Sequence, residues 1–400
     1  MRNEGSLLIT NARAVLPDVV MEPIAILVEN GVIKEIDVKP ETNADEYLDA
    51  EGGYLFPGFI DMHVHGGGGA DFMDATPEAF ETVIKAHLAS GTTTIVPTAM
   101  SATKGELLDF VKAYQEFKEK SEYASFACGL HLEGPYFSKA SGKSKGAQSG
   151  DLIRDIDFEE INEILTLAKG SIVRWDAAPE IEGSEQFAAL MKEHEILCSV
   201  AHTDATADEA QKGFKAGFSH VTHFYNAVTA YRKKDQQVLA GVVEATYLDD
   251  KVTVELICDG KHIPKQCMHL ALKIKGVDNV IGITDATRLA GTESKSGRLG
   301  SLRNGTEVIV DDGVAKLLDM SSYAGSICTM DRALKVVCKD YGVDPVTAAK
   351  MLATNPARLL KIQDRKGSIE VGKDADFLIV NDQFEIKVVV NKLRNMSSQQ

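Results

Sequence analysis

A membrane-spanning helix needs about 20 consecutive apolar residues, and no stretch of this 400-residue sequence comes near that length. The six cysteines (Cys128, Cys198, Cys258, Cys267, Cys328, Cys338) show no C-x-x-C pair and no framework spacing, which argues against a cystine-stapled scaffold. They read as reduced thiols that serve as small apolar side chains. Positive charge is also scarce, with 43 Lys and Arg against 59 Asp and Glu for a formal charge of -16. That balance repels nucleic acid and anionic lipid as partners. A phosphorylated small molecule stays open, because one pocket needs only a few local cations. The start of the chain runs straight into Leu7-Leu8-Ile9-Thr10 without the apolar core of a secretion signal, and a cytoplasmic location is the expectation.

What is present is apolar volume and a repeating pattern. With 44% hydrophobic residues over this length, one barrel-sized domain plus a satellite is the natural expectation. Eight β-branched runs follow one another: Phe59–His65, Thr93–Ala99, Phe126–Glu133, Ile172–Ala178, Ile196–His202, His220–Tyr225, Val252–Cys258 and Val280–Thr284. Amphipathic stretches such as Pro77–Ser90, Lys104–Lys120, Phe158–Lys169 and Ala207–Ala216 separate them. Parallel strands joined by crossover helices give this alternation, and eight such units predict an α/β fold, a (β/α)8 TIM barrel. Ser6–Thr10, Ala25–Val28, the Asn30-Gly31 pair and Val32–Ile36 read as a hairpin. Residues 367–380 and 385–390 are again strand and turn. The two ends are expected to pair as a small β-sandwich of residues 1–56 and 360–395 around a barrel of residues 57–359. Ser397-Ser398-Gln399-Gln400 reads as a disordered tail.

In such barrels chemistry sits where the strands end. His63 and His65 close the first run with i, i+2 spacing, which places both imidazoles on one face and supplies half a zinc site. Gly66-Gly67-Gly68-Gly69 follows. Glu133 ends the third run, His202 the fifth, and His223 lies within the sixth. Imidazole and carboxylate together form the ligand set of a catalytic divalent metal. Asp285 closes the eighth run, where a carboxylate beside the metal takes a proton from water. One such residue would be unremarkable, but six in this order at strand ends do not arise from packing alone. His87, His194 and His269 fall in helical stretches and read as surface residues.

This ordered set resembles the amidohydrolase superfamily, and its wording is similar to the N-acetylglucosamine-6-phosphate deacetylase family over nearly the whole chain. The motifs that carry the likeness are Pro57–Asp61 before His-x-His, His131-Leu132-Glu133-Gly134-Pro135, Thr222–Ala227, Asp259–His262, Thr284-Asp285-Ala286, Asn355–Arg358 and Gly372–Asp376. The resemblance implies that Glu133, His202 and His223 hold the principal metal, with Asp285 as catalytic acid and base. It implies substrate contacts from Ala147, Gln148, Asn226, Ala227, His262 and the backbone at Ala324-Gly325. His131 would orient a ligand from behind. One or two divalent metals per subunit are expected, zinc first, with iron, manganese or cobalt as alternatives, since His63 and His65 supply a second site. The expected partners are a phosphosugar and a second copy of the chain in a homodimer.

One stretch departs from the family. Where its members place Arg-Glu-Pro-Gly, with an arginine that reaches the substrate phosphate, residues 230–241 read AYRKKDQQVLAG. Arg232, Lys233 or Lys234 could supply that charge, although a lysine lacks the bidentate fork, and a solvated basic loop is the alternative. Rival functions are an amidohydrolase for another N-acyl amino sugar or a cyclic amide, and a catalytically silent barrel.

Overall fold

The computed structural model describes residues 5–139, 144–234, 236–391 and 394–397. The eight runs form one parallel sheet in chain order: Phe59–Val64, Thr92–Ala99, Leu130–Glu133, Ile172–Ala177, Leu197–Val200, His220–Val221, Thr253–Ile257 and Val280–Ile283. The ring closes where Ala286 bridges Val64 in parallel, with Asp285 N donating to His63 O at 3.0 Å and His65 N to Ala286 O at 2.9 Å. The strands are buried along their lengths, as apolar runs without alternation require when helices cover the outside.

The intervening helices start where their caps are. Thr103 and Glu106 form a capping box for Lys104–Lys120, Thr206 and Glu209 do the same for Ala207–Ala216, and Asp157 caps Phe158–Ala168. His87 corrects an expectation. It is buried rather than a surface residue, because it shares the inward face of the helix Pro77–Ala89 with Phe80, Val83 and Ile84. His194 and His269 are exposed as expected.

Strands from both ends of the chain form a second sheet, in which Tyr54–Pro57 pairs antiparallel with Phe377–Val380 and lies parallel to Ser6–Val15. Its core gathers Ile9, Ile26, Leu55, Phe377, Ile379 and Val390, and Leu8, Ala25 and Leu27 form a second small cluster. These layers are the β-sandwich. Asn30 and Gly31 both have positive φ (52° and 74°), as the two-residue turn between Glu29 and Val32 requires. Ser397 is not part of a disordered tail: it closes the strand Arg394–Ser397 and pairs with Val388. Residues 398–400 lie outside the described residues.

The chain divides into two compact units. One takes in the residues up to Asp61, His87–Thr94 and those from Thr329 on; the other comprises Met62–Ala86 and Ile95–Cys328. The second unit also carries a feature absent from the expectations, a three-stranded antiparallel sheet of Ser296–Leu299, Thr306–Asp311 and Val314–Leu317 that follows the last barrel strand.

Candidate active site

Four imidazoles and two carboxylates meet at the C-terminal end of the barrel. Glu133 Oε1 lies 3.0 Å from His202 Nε2, 3.1 Å from His223 Nε2 and 3.8 Å from His63 Nε2, while its Oε2 lies 3.4 Å from His65 Nε2. Asp285 Oδ1 completes the group at 3.3 Å from His65 Nε2 and 3.5 Å from His63 Nε2. All six side chains are buried or nearly so.

Local backbone aims these groups. His202, His223 and Asp285 each sit two residues beyond the strand that carries them, with left-handed φ values of 45°, 30° and 50°. The sequence pattern extends the fifth, sixth and eighth strands through or up to these positions. In the structure the chain leaves the pleat first, so strict alternation no longer decides where the side chains point. Such a conformation costs a non-glycine residue on the order of 1–3 kcal/mol and persists where its surroundings enforce it. At Asp285 the close approach of Gly325, at φ 62°, is part of those surroundings: a Cβ there would lie 2.9 Å from Asp285 O.

The far nitrogens of three imidazoles are engaged. His202 Nδ1 faces Ser144 O at 2.8 Å, His223 Nδ1 faces Asn226 O at 3.0 Å, and His63 Nδ1 faces a carboxylate oxygen of Glu255 at 2.7 Å. With the proton donated from Nδ1, each ring presents a lone pair at Nε2. Glu133 with His63 and His65, and Glu133 with His202 and His223, form two groups whose ligand atoms lie within 4.8 Å of one another. This thiolate-free, buried N and O donor set fits a divalent metal at either group.

The electrostatics agree. Burial would raise the Glu133 carboxyl, but His202, His223 and His65 hold it well below the usual carboxylate range. Asp285 is likewise lowered against burial by His63 and His65, so it stands ionised. Burial, helped by the Arg174 guanidinium, pushes His131 down to about 3. His131 is therefore a neutral ring, packed edge-on against His63 at 4.8 Å with Nε2 3.0 Å from Asp176 Oδ2.

A family model described as the amidohydrolase family matches residues 54–395. The chain belongs to the amidohydrolase family. Among its relatives, an N-acetylglucosamine-6-phosphate deacetylase of Bacillus subtilis is 31% identical over 92% of this chain and 95% of its own length. An N-acetylgalactosamine-6-phosphate deacetylase of Escherichia coli O157:H7 is 28% identical over 90% of this chain and 92% of its own. The structure of a mutant N-acetyl-D-glucosamine-6-phosphate deacetylase from Mycobacterium smegmatis, in complex with N-acetyl-D-glucosamine-6-phosphate, is similar with a TM-score of 0.88 and 26% identity, covering 98% of this chain and 99% of that one. As an amidohydrolase the protein is a hydrolytic enzyme, its family is metal-dependent, and no described helix is long and apolar enough to cross a membrane.

His65, Glu133, His202, His223 and Asp285 line a cavity of about 170 Å³ together with Ala147, Gln148, Asn226, Ala227, His262 and Gly325. Gln148 is fixed at both ends, donating from Nε2 to Glu133 Oε2 at 2.8 Å and accepting from Ser101 N at 3.0 Å. His262 Nδ1 lies 2.8 Å from Asp259 Oδ2. Burial works to raise Asp259, and the His262 contact with the amides of Lys261 and His262 holds it below its ordinary value. Ala324 is not in the lining; it packs in a small apolar cluster with Met100, Leu289, Leu299 and Val308. Arg232 is not in the lining either. It lies in the hairpin Arg232–Lys234 and Gln237–Leu239, where its Nη2 donates to Asp204 O at 2.9 Å; the side chain of Lys234 lies outside what the structure describes.

Sequence reasoning missed two groups. Leu299, Ser322 and Tyr323, from or just after the inserted sheet, line the cavity, and the Tyr323 ring lies 5.0 Å from that of His262. The signal was Asp312-Gly313, a two-residue hairpin turn with both φ values positive. Beneath the cluster, Arg174, Asp176 and Glu255 form a fully buried ion cluster. Its signal was charge in the middle of barrel strands.

Proposed function

We propose that this amidohydrolase cleaves the acetamide of N-acetylglucosamine-6-phosphate, giving glucosamine-6-phosphate and acetate. The observation that carries the reading is the Asp285 carboxylate 3.3 Å from His65 Nε2, beside the Glu133 and histidine cluster that lines the cavity. A divalent metal bound there, zinc foremost, lowers the pKa of water and polarises a carbonyl oxygen.

The chain's own residues supply the rest. Glu133, His202 and His223 hold the principal metal, and Glu133 with His63 and His65 holds a second. Asp285 accepts a proton from the attacking water at its carboxylate and returns it to the departing amine nitrogen. Asn226, Ala227, Ala147, Gln148 and Gly325 contact the sugar. His262, with Nδ1 committed to Asp259, offers Nε2 to the substrate.

The cavity lining includes no lysine or arginine among the described residues. A phosphate there needs a cation from elsewhere, which supports a homodimer whose basic run Arg232-Lys233-Lys234 reaches the partner's cavity. The enzyme is assigned to the cytoplasm. Residues 1–56 with 360–395, and residues 57–359, are proposed as its two domains.

The deciding experiment measures metal content together with acetate release from phosphorylated and unphosphorylated N-acetyl hexosamines. Metal-dependent release that prefers the 6-phosphate of N-acetylglucosamine supports the assignment. A preference for the galacto epimer moves it to the substrate named for the Escherichia coli relative, and no release from any of them overturns it.

A further inference from the structure

Glu255 lies in the seventh barrel strand, fully buried, at the back of the metal cluster. Its Oε1 accepts from the His223 backbone N at 3.0 Å and from Arg174 Nη2 at 3.1 Å, and lies 2.7 Å from His63 Nδ1. Its Oε2 accepts from Arg174 Nη1 at 2.5 Å and lies 3.3 Å from His220 Nε2. Arg174 is already gripped by Asp176, which meets its Nε at 3.0 Å and its Nη2 at 3.2 Å. Asp176 therefore already balances the charge of Arg174, and Glu255 adds the partner of its Nη1. A second buried carboxylate carries a desolvation cost that a single guanidinium does not fully offset. Beyond Arg174, its Oε1 faces His63 and its Oε2 faces His220, the His63 contact being the shorter.

Among the engaged imidazoles His63 is singled out, because the far nitrogens of His202 and His223 face backbone carbonyls whereas that of His63 faces a carboxylate. A carboxylate in that place fixes the tautomer, locks the ring plane and makes Nε2 a stronger donor to a metal. We infer that Glu255 is a positioning residue that acts through His63 to make the first-strand group, His63, His65 and Glu133, a competent metal subsite. The inference rests on the two-metal reading above.

The test is Glu255→Gln in the full-length protein, read by zinc titration against a competing chelator and by elemental analysis, with thermal melting to monitor the fold. Loss of a partner behind a metal-bound histidine typically weakens metal affinity about 10- to 100-fold. One zinc equivalent should weaken by that factor while the other changes little. In a His63→Asn background the same Glu255 change should have almost no further effect, because its route to the metal is gone. Unchanged affinity at both equivalents, or an equal further loss in the His63→Asn background, overturns the inference. If wild-type protein takes up a single zinc, the two-metal reading fails by itself, and Glu255 is judged by the same comparison on that one affinity. Should Glu255→Gln not fold, Glu255→Asp keeps a negative charge in the buried cluster while shortening its reach to His63, and the same readings decide.

Discussion

Asp285 Oδ1 stands 3.3 Å from Nε2 of His65, the same ring nitrogen that lies 3.4 Å from Glu133 Oε2. One imidazole thus links the carboxylate shared by both metal groups to the carboxylate assigned to proton transfer. The carboxylate proposed as acid and base already sits at the edge of the Glu133 and histidine cluster.

Replacing Asp285 by Asn should preserve the fold and most of the metal and remove nearly all turnover, since the amide cannot accept the proton of the attacking water. General acid–base groups contribute about 10²–10⁴-fold. A variant that kept more than half of the wild-type kcat at saturating metal would sink this role.

The two histidine pairs should separate by metal content. His202→Ala or His223→Ala should strip the principal metal, while His63→Ala with His65→Ala should cost only the second. Elemental analysis reads the difference directly, and equal stoichiometry in all variants would contradict the division.

Metal uptake should release protons. Burial disfavours a charged His223, but Glu133 outweighs it and pushes that ring up to about 9, and His65 is raised well above its ordinary value. In metal-free protein these rings carry protons at neutral pH that a metal must displace. Metal affinity should therefore rise with pH and level off above about 9. In the metal-free form the stability from His223 is complete below about pH 6.5 and is lost as pH rises through about 9. Calorimetric titration in buffers of different ionisation heat measures the release; heats independent of buffer would refute it.

Gly325→Ala, a change in the cavity wall itself, should damage catalysis. Its Cβ would meet Thr287 Cγ2 at 2.7 Å and Asp285 O at 2.9 Å, at a φ of 62°. Alanine where φ is positive costs more than about 0.4–1 kcal/mol of stability. A drop in Tm accompanied by a lower kcat is the expected result, and an unperturbed enzyme would show that the wall has slack.

Neutralising Arg232, Lys233 and Lys234 together should raise KM for the 6-phosphorylated sugar selectively. A charge-assisted contact contributes about 1.5–3 kcal/mol, or roughly 10- to 150-fold. Equal effects on the unphosphorylated sugar would mark this hairpin as solvated surface.

The barrel, and the histidines and carboxylates that gather at the ends of its strands, were legible in the chain. Buried parallel strands must be β-branched along their length, so eight of them were countable, and the spacing of His63 and His65 placed both on one face. Glu133 was legible for the same reason, as a carboxylate ending an apolar run. Local patterns report what a residue does within its own strand or helix, and nothing more. The pairing of Arg174 with Glu255 joins the fourth strand to the seventh across 81 residues, and only closure of the ring brings them together. Likewise the left-handed turn at Asp285 packs against Gly325, which lies 40 residues further along the chain. Which residue types were available was written in the chain; which nitrogen of each histidine faces the cluster was decided by tertiary contacts, because a tautomer is set by the partner on the ring's other side.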